Sequence, residues 1–464
     1  MQPTSEPTVR RWQVLSGLFL ALACLVAFTA RGVSRPPTAR AAATQTAGSA
    51  AGTSSGGTGG PAQDPPACDP DNGGLTLPDG FCALVVARDV GKARHLVVAP
   101  NGDLFVALNG SPGGVMALRD TDGDGRADVR KHFGSQGGTG IGLRDGWLYF
   151  GADGEVMRWP LKQGALEPSG PAQALVTGLP AHYHAAKSLA FDGQGHMFVN
   201  IGSPSNSCQE QDRVKGAPGI DPCPQRETRA GIWRFDANRR GQTEADGLHF
   251  ATGLRNTVAL AVNPEDGHLY GVVHGRDQLY QNWPQYYTAE QSAVLPAEKF
   301  VRLERGDDYG WPYCFWNELE DRWILNPEYG GDGKKQGRCA DLSKKPLVGF
   351  PGHWAPDGLL FYTGSQFPAR YRGGAFIAFH GSWNRAPEPQ AGYRVVFVPF
   401  RDGAPVVSDT TTFVNGFAGR RVGPGTAAHR PVGLAQGPDG SLYVTDDQGG
   451  SVWRILYRGS GSRS

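Results

Sequence analysis

Several things the chain lacks narrow what it can do. Its charge is almost balanced, 45 Lys and Arg against 44 Asp and Glu, so it carries no electrostatic footprint for nucleic acid. Helical periodicity is nearly absent, which sets aside helix bundles and coiled coils. No Cys-x-x-Cys or Cys/His spacing points to structural zinc, and no Cys-x-x-Cys-His haem attachment occurs, so any electron-transfer partner is a separate molecule. In their place stand 67 Gly and 35 Pro, the composition of many short strands joined by turns.

Those turns recur in a pattern. An apolar strand, a tight Gly-containing turn and a second apolar strand start at His95, Ile141, Ser188, Ala259, Leu359 and Gly433. Each instance has the Asn-Gly, Asp-Gly or Gly-loop signature of a hairpin. One hairpin cannot bury its own apolar face, whereas blades arranged around an axis can, and they leave a channel rimmed by loops. The expected fold is all-β, a six-bladed β-propeller over residues 67–458, with function where the loops converge. The apolar segment from Gly80 to Ala87 is expected to close the ring against the last blade. Trp147, Trp159, Trp233 and Trp453 fall in strands and read as packing between blades. The insertion from about Tyr280 to Pro351 can wall the substrate side.

Residues 1–40 read as a targeting segment. Arg10 and Arg11 precede an apolar run from Val14 to Ala30, a length that fits both a cleaved signal peptide and an N-terminal membrane anchor. Residues 41–66, rich in Ala, Gly, Ser, Thr and Pro, read as a flexible tether. Six cysteines beyond Cys24 fall into three near neighbours, Cys68 with Cys82, Cys208 with Cys223, and Cys314 with Cys339. Three local disulfides are the economical choice among the roughly 15 pairings six cysteines allow. They imply export to a periplasmic or extracellular compartment.

The strand entrances carry the chemistry. His184 and Lys187 precede the third repeat, with His182 close enough to compete for the same role; a histidine there can serve as general base or can simply cap backbone groups. Arg255 and Asn256 precede the fourth repeat, and Asn384, Arg385 and Arg430 are read in equivalent places further on. Arginines gathered at one channel mouth repel unless an anion lies between them, and their planar guanidiniums suit carboxylates; the alternative is that each pairs with a neighbouring Asp or Glu. Separately, Asp120, Asp122, Asp124 and Asp128 follow the D-x-D-x-D-G pattern of calcium loops without the usual Glu, and fit an Asp-rich turn equally well.

The motifs G-L-R-N (Gly253 to Asn256), H-x-x-K-S-L (His184 to Leu189), Y-G-W-P (Tyr309 to Pro312), H-G-S-W-N-R (His380 to Arg385) and R-P-V-G-L-A-x-G-P-D-G (Arg430 to Gly440) occur in one order. In this the chain resembles the soluble sugar dehydrogenases that depend on pyrroloquinoline quinone (PQQ), in their sorbosone and pyranose branch. The resemblance implies a sugar or sugar-aldehyde substrate, PQQ and calcium over the channel, His184 as base, and Arg255 on the quinone oxygen with Asn256 beside it. It further implies Arg430, Asn384, Arg385 and Lys187 as cofactor contacts, and Gly275 and Arg276 as backbone calcium ligands. One departure is plain: where soluble glucose dehydrogenase has an acid to orient the base, this chain reads Gly202-Ser203-Pro204-Ser205. A non-catalytic binding propeller and a calcium-dependent lactonase are the rival readings, although the lactonase would need Glu, Asp and Asn where His and Arg stand.

Overall fold

A computed structural model describes residues 65–459; the targeting segment and nearly all of the tether lie outside the described residues. Six antiparallel sheets of four principal strands are arranged as the blades of a propeller. The hairpins read from sequence are the two inner strands of successive blades. They are Ala93–Val98 with Leu104–Leu108, Gly138–Arg144 with Trp147–Ala152, and Leu189–Phe191 with His196–Ile201. The other three are Ala259–Val262 with Leu269–Val273, Pro356–Phe361 with Ala375–Phe379, and Pro431–Gln436 with Leu442–Asp446. In the second blade Arg144 pairs with Trp147 across Asp145 and Gly146, at φ 49° and 78°. Two successive positive φ values define the turn whose twist matches that of a hairpin, and Asp-Gly supplies them at low steric cost.

The first strands of neighbouring blades contact one another around the axis, the sixth blade meeting the first. Closure uses both ends of the described chain. Phe81–Ala87 pairs antiparallel with Val452–Tyr457 as the outermost strand of the last blade, from Phe81 opposite Tyr457 to Ala87 opposite Val452. The blades adhere through apolar side chains, and each of the larger buried clusters joins two adjacent blades. Phe105 and Val115 meet Ile141 and Phe150 between the first and second; Tyr149 and Val156 meet Met197 and Trp233 between the second and third. Trp159, Trp233 and Trp453 are buried in these interfaces and Trp147 packs against one, as expected of packing residues. All three local disulfides are formed. Among the described residues no helix is long and apolar enough to cross a membrane.

The ring-closing junction concentrates aromatic contacts. Phe81, buried on the closing strand, lies 4.8 Å from the Phe367 ring and 5.0 Å from that of Phe413, both edge-on, so one side chain of the sixth blade is fastened to two elements of the fifth. Truncating it leaves a cavity that the closed ring cannot collapse around. Phe81→Ala is therefore expected to cost about 3–5 kcal/mol of unfolding free energy in urea titration; a loss under about 1 kcal/mol would contradict this account of closure.

Candidate active site

In every blade the first strand runs away from one rim and the second returns to it. Loops before a first strand and after a second strand therefore share that rim. His184, Arg255 and Arg430 lie before first strands, as read from sequence. Asn384 and Arg385 do not: they follow the second strand Ala375–Phe379 and reach the same rim from the other end of the hairpin.

The rim is organised by an acid that composition did not single out. Asp277, after the second strand of the fourth blade, is buried and receives Arg255 at 2.9 Å and Arg213 at 2.9 Å on one carboxylate oxygen. On its other oxygen are the Asn384 amide at 2.7 Å and His353 at 3.5 Å. Arg255 and its fellow cations hold this carboxyl well below the usual carboxylate range, against the opposing effect of burial. Arg255 is itself buried and donates to the Gly275 and Asn206 carbonyls at 2.8 and 3.2 Å. Asn206 closes the arrangement from below, accepting from the Asp277 N–H at 2.8 Å and donating to its carbonyl at 3.0 Å. The insertion does stand against this side, because Trp311 donates to Asn206 at 2.9 Å and Glu328 pairs with Arg276.

His184 is half-buried beside this group, with exposed His182 and Tyr183 preceding it. Its Nδ1 lies 2.7 Å from the Ser203 carbonyl and 3.1 Å from the Ser203 hydroxyl. Burial, then the Arg255 charge, push the imidazole down to about 3, so it is neutral at physiological pH. Gly202 makes the approach possible: a Cβ there would lie 2.4 Å from the His184 Cβ and 2.9 Å from the Asn256 amide oxygen. Asn256 is buried and accepts from Asn200 at 2.9 Å.

A second charged cluster continues around the mouth. Asp357 meets Arg94 at 3.2 Å and His274 at 3.2 Å, while Asp447 meets Arg94 at 2.8 Å and His380 at 2.7 Å. The carboxyl of Asp447 is drawn down to about 2, with His380 and Arg94 outweighing burial. Arg430 differs from the others. Its guanidinium donates to the His380 and Gly381 carbonyls at 3.1 and 2.6 Å, and among the described residues no acid lies within ion-pair distance of it.

Some expected residues take other parts. Lys187 is fully buried with its ammonium on the Pro180 and Ala185 carbonyls at 2.7 and 2.6 Å, so it braces the His184 loop instead of facing the mouth. Arg385 spends its guanidinium on the carbonyls of Pro389 and Ala293, which ties its loop to the insertion. The Gly275 carbonyl already carries the Arg255 guanidinium, and the Arg276 side chain is paired with Glu328. A calcium ion on the Gly275 carbonyl would share that oxygen with the Arg255 cation, which disfavours it there, while the Arg276 ion pair leaves the Arg276 carbonyl untouched. The oxygens of Asp120, Asp122 and Asp124 come within 4.8 Å of one another, but Asp128 turns both of its own to Thr121, at 2.8 and 2.7 Å. That loop and a cavity of about 570 Å³ beside it, lined by Asp103, Arg119 and Tyr443, belong to the opposite face of the ring.

The TrAA12-like family model matches residues 75–458. The chain belongs to that family. A PQQ-dependent pyranose dehydrogenase of Coprinopsis cinerea is 26% identical over 84% of this chain and 53% of its own length. An uncharacterised Borreliella burgdorferi protein is 29% identical over 45% of this chain and 48% of its own. The chain thus spans about half the length of these curated relatives. Among solved structures, the PQQ domain of the Coprinopsis enzyme has a TM-score of 0.68 at 22% identity, covering 82% of this chain and 97% of that one. A Trichoderma reesei family AA12 enzyme has 0.68 at 18% identity, covering 83% and 98%. At such identities these likenesses show the propeller fold alone.

For an anionic quinone the donor set of this TrAA12-like chain does fit. Arg430 lacks an acidic partner, two guanidiniums share the Asp277 oxygen, and buried atoms at the mouth, Asn384 Oδ1 and Arg94 Nε, have no hydrogen-bond partner. Sequence reasoning missed Arg94, Arg213, His274, Asp277, Asp357 and Asp447. All but Arg94 and Asp357 follow second strands or lie in the loops beyond them, and only the rim geometry would have pointed there.

Acid stability tests these environments. His184, His95 (pushed to about 4 mainly by burial) and His249 hold fewer protons folded than unfolded as pH falls below the ordinary histidine value. Stability therefore declines with falling pH across the window between about 6.5 and 4.5. His274, raised by Asp357 despite its burial, and Asp153, Glu244 and Glu318, raised by burial, work in the opposite sense, but the downward shifts of His184 and His95 are the large ones. Melting temperatures are expected to drop through that window; a flat or rising profile would contradict the buried neutral histidines.

Proposed function

We propose that this protein is an exported, PQQ-dependent dehydrogenase that oxidises the hydroxyl of an aldose, pyranose or related sugar. The observation that carries the reading is the neutral His184, with Nδ1 engaged and Nε2 left free, beside a buried Arg255. When bound, PQQ supplies an ortho-quinone that takes two electrons as hydride from the substrate carbon. His184 Nε2 accepts the hydroxyl proton as that C–H bond breaks. Arg255, buried and held in place by Asp277, would oppose negative charge growing on a quinone oxygen. Arg430, and Arg94 through its spare N–H, would hold cofactor carboxylates, while Asn384 and Asn256 offer polar contacts. Tyr183 and Trp383 are exposed on this rim, and Arg213 lies 5.8 Å over the Trp383 ring. Their faces can stack on a pyranose ring.

Three disulfides support a periplasmic or extracellular location, with the N-terminal segment as the means of export, cleaved or kept as a membrane anchor. Electrons leave to a separate acceptor. The lactonase reading loses ground at the rim, where Asp277, Asp357 and Asp447 are each bound to Arg or His instead of standing open to calcium.

The test is reconstitution of apoprotein with PQQ, with and without calcium, followed by dye reduction across a sugar panel. Saturable uptake and reduction with an aldose or pyranose are expected. His184→Ala should keep uptake and lose about 10²–10⁴ in kcat. Uptake without reduction would favour a binding propeller, and lactone hydrolysis without uptake would favour the lactonase.

A further inference from the structure

We infer that Ser203 is a positioning residue that locks the tautomer of His184, so that a peptide carbonyl and a hydroxyl replace the carboxylate that ordinarily orients a catalytic imidazole. The inference rests on His184 being the base, as proposed above, and adds how that base is prepared.

The direction of every proton in the lock follows from its partners. A carbonyl oxygen only accepts, so the 2.7 Å contact from the Ser203 carbonyl requires the proton on His184 Nδ1. The Ser203 hydroxyl has one proton and donates it to the Ser205 carbonyl at 2.7 Å. Towards His184, 3.1 Å away, it therefore offers lone pairs only. The opposite tautomer would set the nitrogen lone pair against oxygen lone pairs on two atoms at once. Nε2 is left unprotonated, as a base must be.

The lock is also tied to the rest of the site. The Ser203 N–H donates to the Arg255 carbonyl at 2.7 Å, which registers the base against the buried guanidinium. Ser205 donates to Gln225 at 2.6 Å and accepts from the Cys208 N–H at 3.0 Å. Asn206 grips the Asp277 backbone through both of its amide atoms. The segment Ser203-Pro204-Ser205-Asn206 thus acts as one clamp running from base to acid.

An ionised orienting acid would stabilise an imidazolium, whereas a carbonyl and hydroxyl do so far less. The charged groups that act on His184 are Arg255 and His274, which disfavour its protonation, and Asp277, already committed to two arginines. A proton taken up during turnover is then held weakly and released readily. The acid limb of kcat should lie well below the ordinary histidine range.

The closing experiment reads the tautomer in apoprotein carrying ring-15N histidine, with the His184 signals assigned by their loss in His184→Gln. Long-range 1H–15N correlation is expected to show a protonated Nδ1 and a bare Nε2 at about pH 7, unchanged at about pH 5. Ser203→Asp, which installs a carboxylate, is expected to move the His184 titration midpoint up by more than about one pH unit. Ser203→Ala should lower kcat of the reconstituted protein about tenfold with KM within about twofold. An Nε2–H tautomer, an imidazolium at about pH 6, or a midpoint unmoved in Ser203→Asp would overturn the lock. Because the spectra need no cofactor, the expected tautomer in a protein that reduces no dye would uphold the lock and sink the dehydrogenase reading alone.

Discussion

The Asp277 carboxylate is the contact on which the mouth of this propeller depends. Arg255 stands before the first strand of the fourth blade and Arg213 sits in the disulfide-closed loop of the third; Asn384 comes from the fifth. Their side chains would not share one place without a buried negative charge between them. Such a cluster is costly to desolvate and stays only if its geometry satisfies nearly every donor and acceptor. Here Asn206 satisfies the backbone of Asp277 and Trp311 satisfies Asn206, so the insertion that packs over the site also stiffens its charge centre.

Charge at the mouth is deliberately incomplete. Asp357 and Asp447 balance Arg94 with two histidines, and Glu328 balances Arg276, which answers for several of the cations. Arg213 also reaches Asp212 at 3.7 Å and buried Glu298 acts on Arg255, so the unmatched positive charge rests on Arg430, which among the described residues has no acid within ion-pair distance. Arg430 and the unpartnered Nε of Arg94, both held in place, are preorganised for an anionic group. The base, His184, stays neutral first because it is buried and then because the Arg255 charge resists its protonation.

Much of this was legible in the chain, and the boundary of legibility has a physical cause. The hairpins, the closing strand Phe81–Ala87 and the three disulfides depend on local pattern, and all appear as read. His184, Arg255 and Arg430 lie before first strands, as read, because strand entrances recur at regular places. Asp277, Asp447 and Arg213 lie past strand exits, where a search confined to entrances does not look. Lys187 and Arg385 had the right residue type in the right motif, yet turn their charge onto backbone carbonyls, and a motif does not say which way a side chain points. The orienting group for His184 is invisible for a simpler reason: its main component is a peptide carbonyl, which every residue has.

The central claim is that Asp277 gathers cations for an anionic cofactor and does more than neutralise them. Titrating PQQ into Asp277→Asn and wild-type apoprotein separates the two roles, because the substitution makes the mouth more positive. If Asp277 holds the arginines in place, affinity should fall by about tenfold or more despite the added charge, a cost of about 1.4 kcal/mol. Equal or tighter binding by the variant would contradict the account.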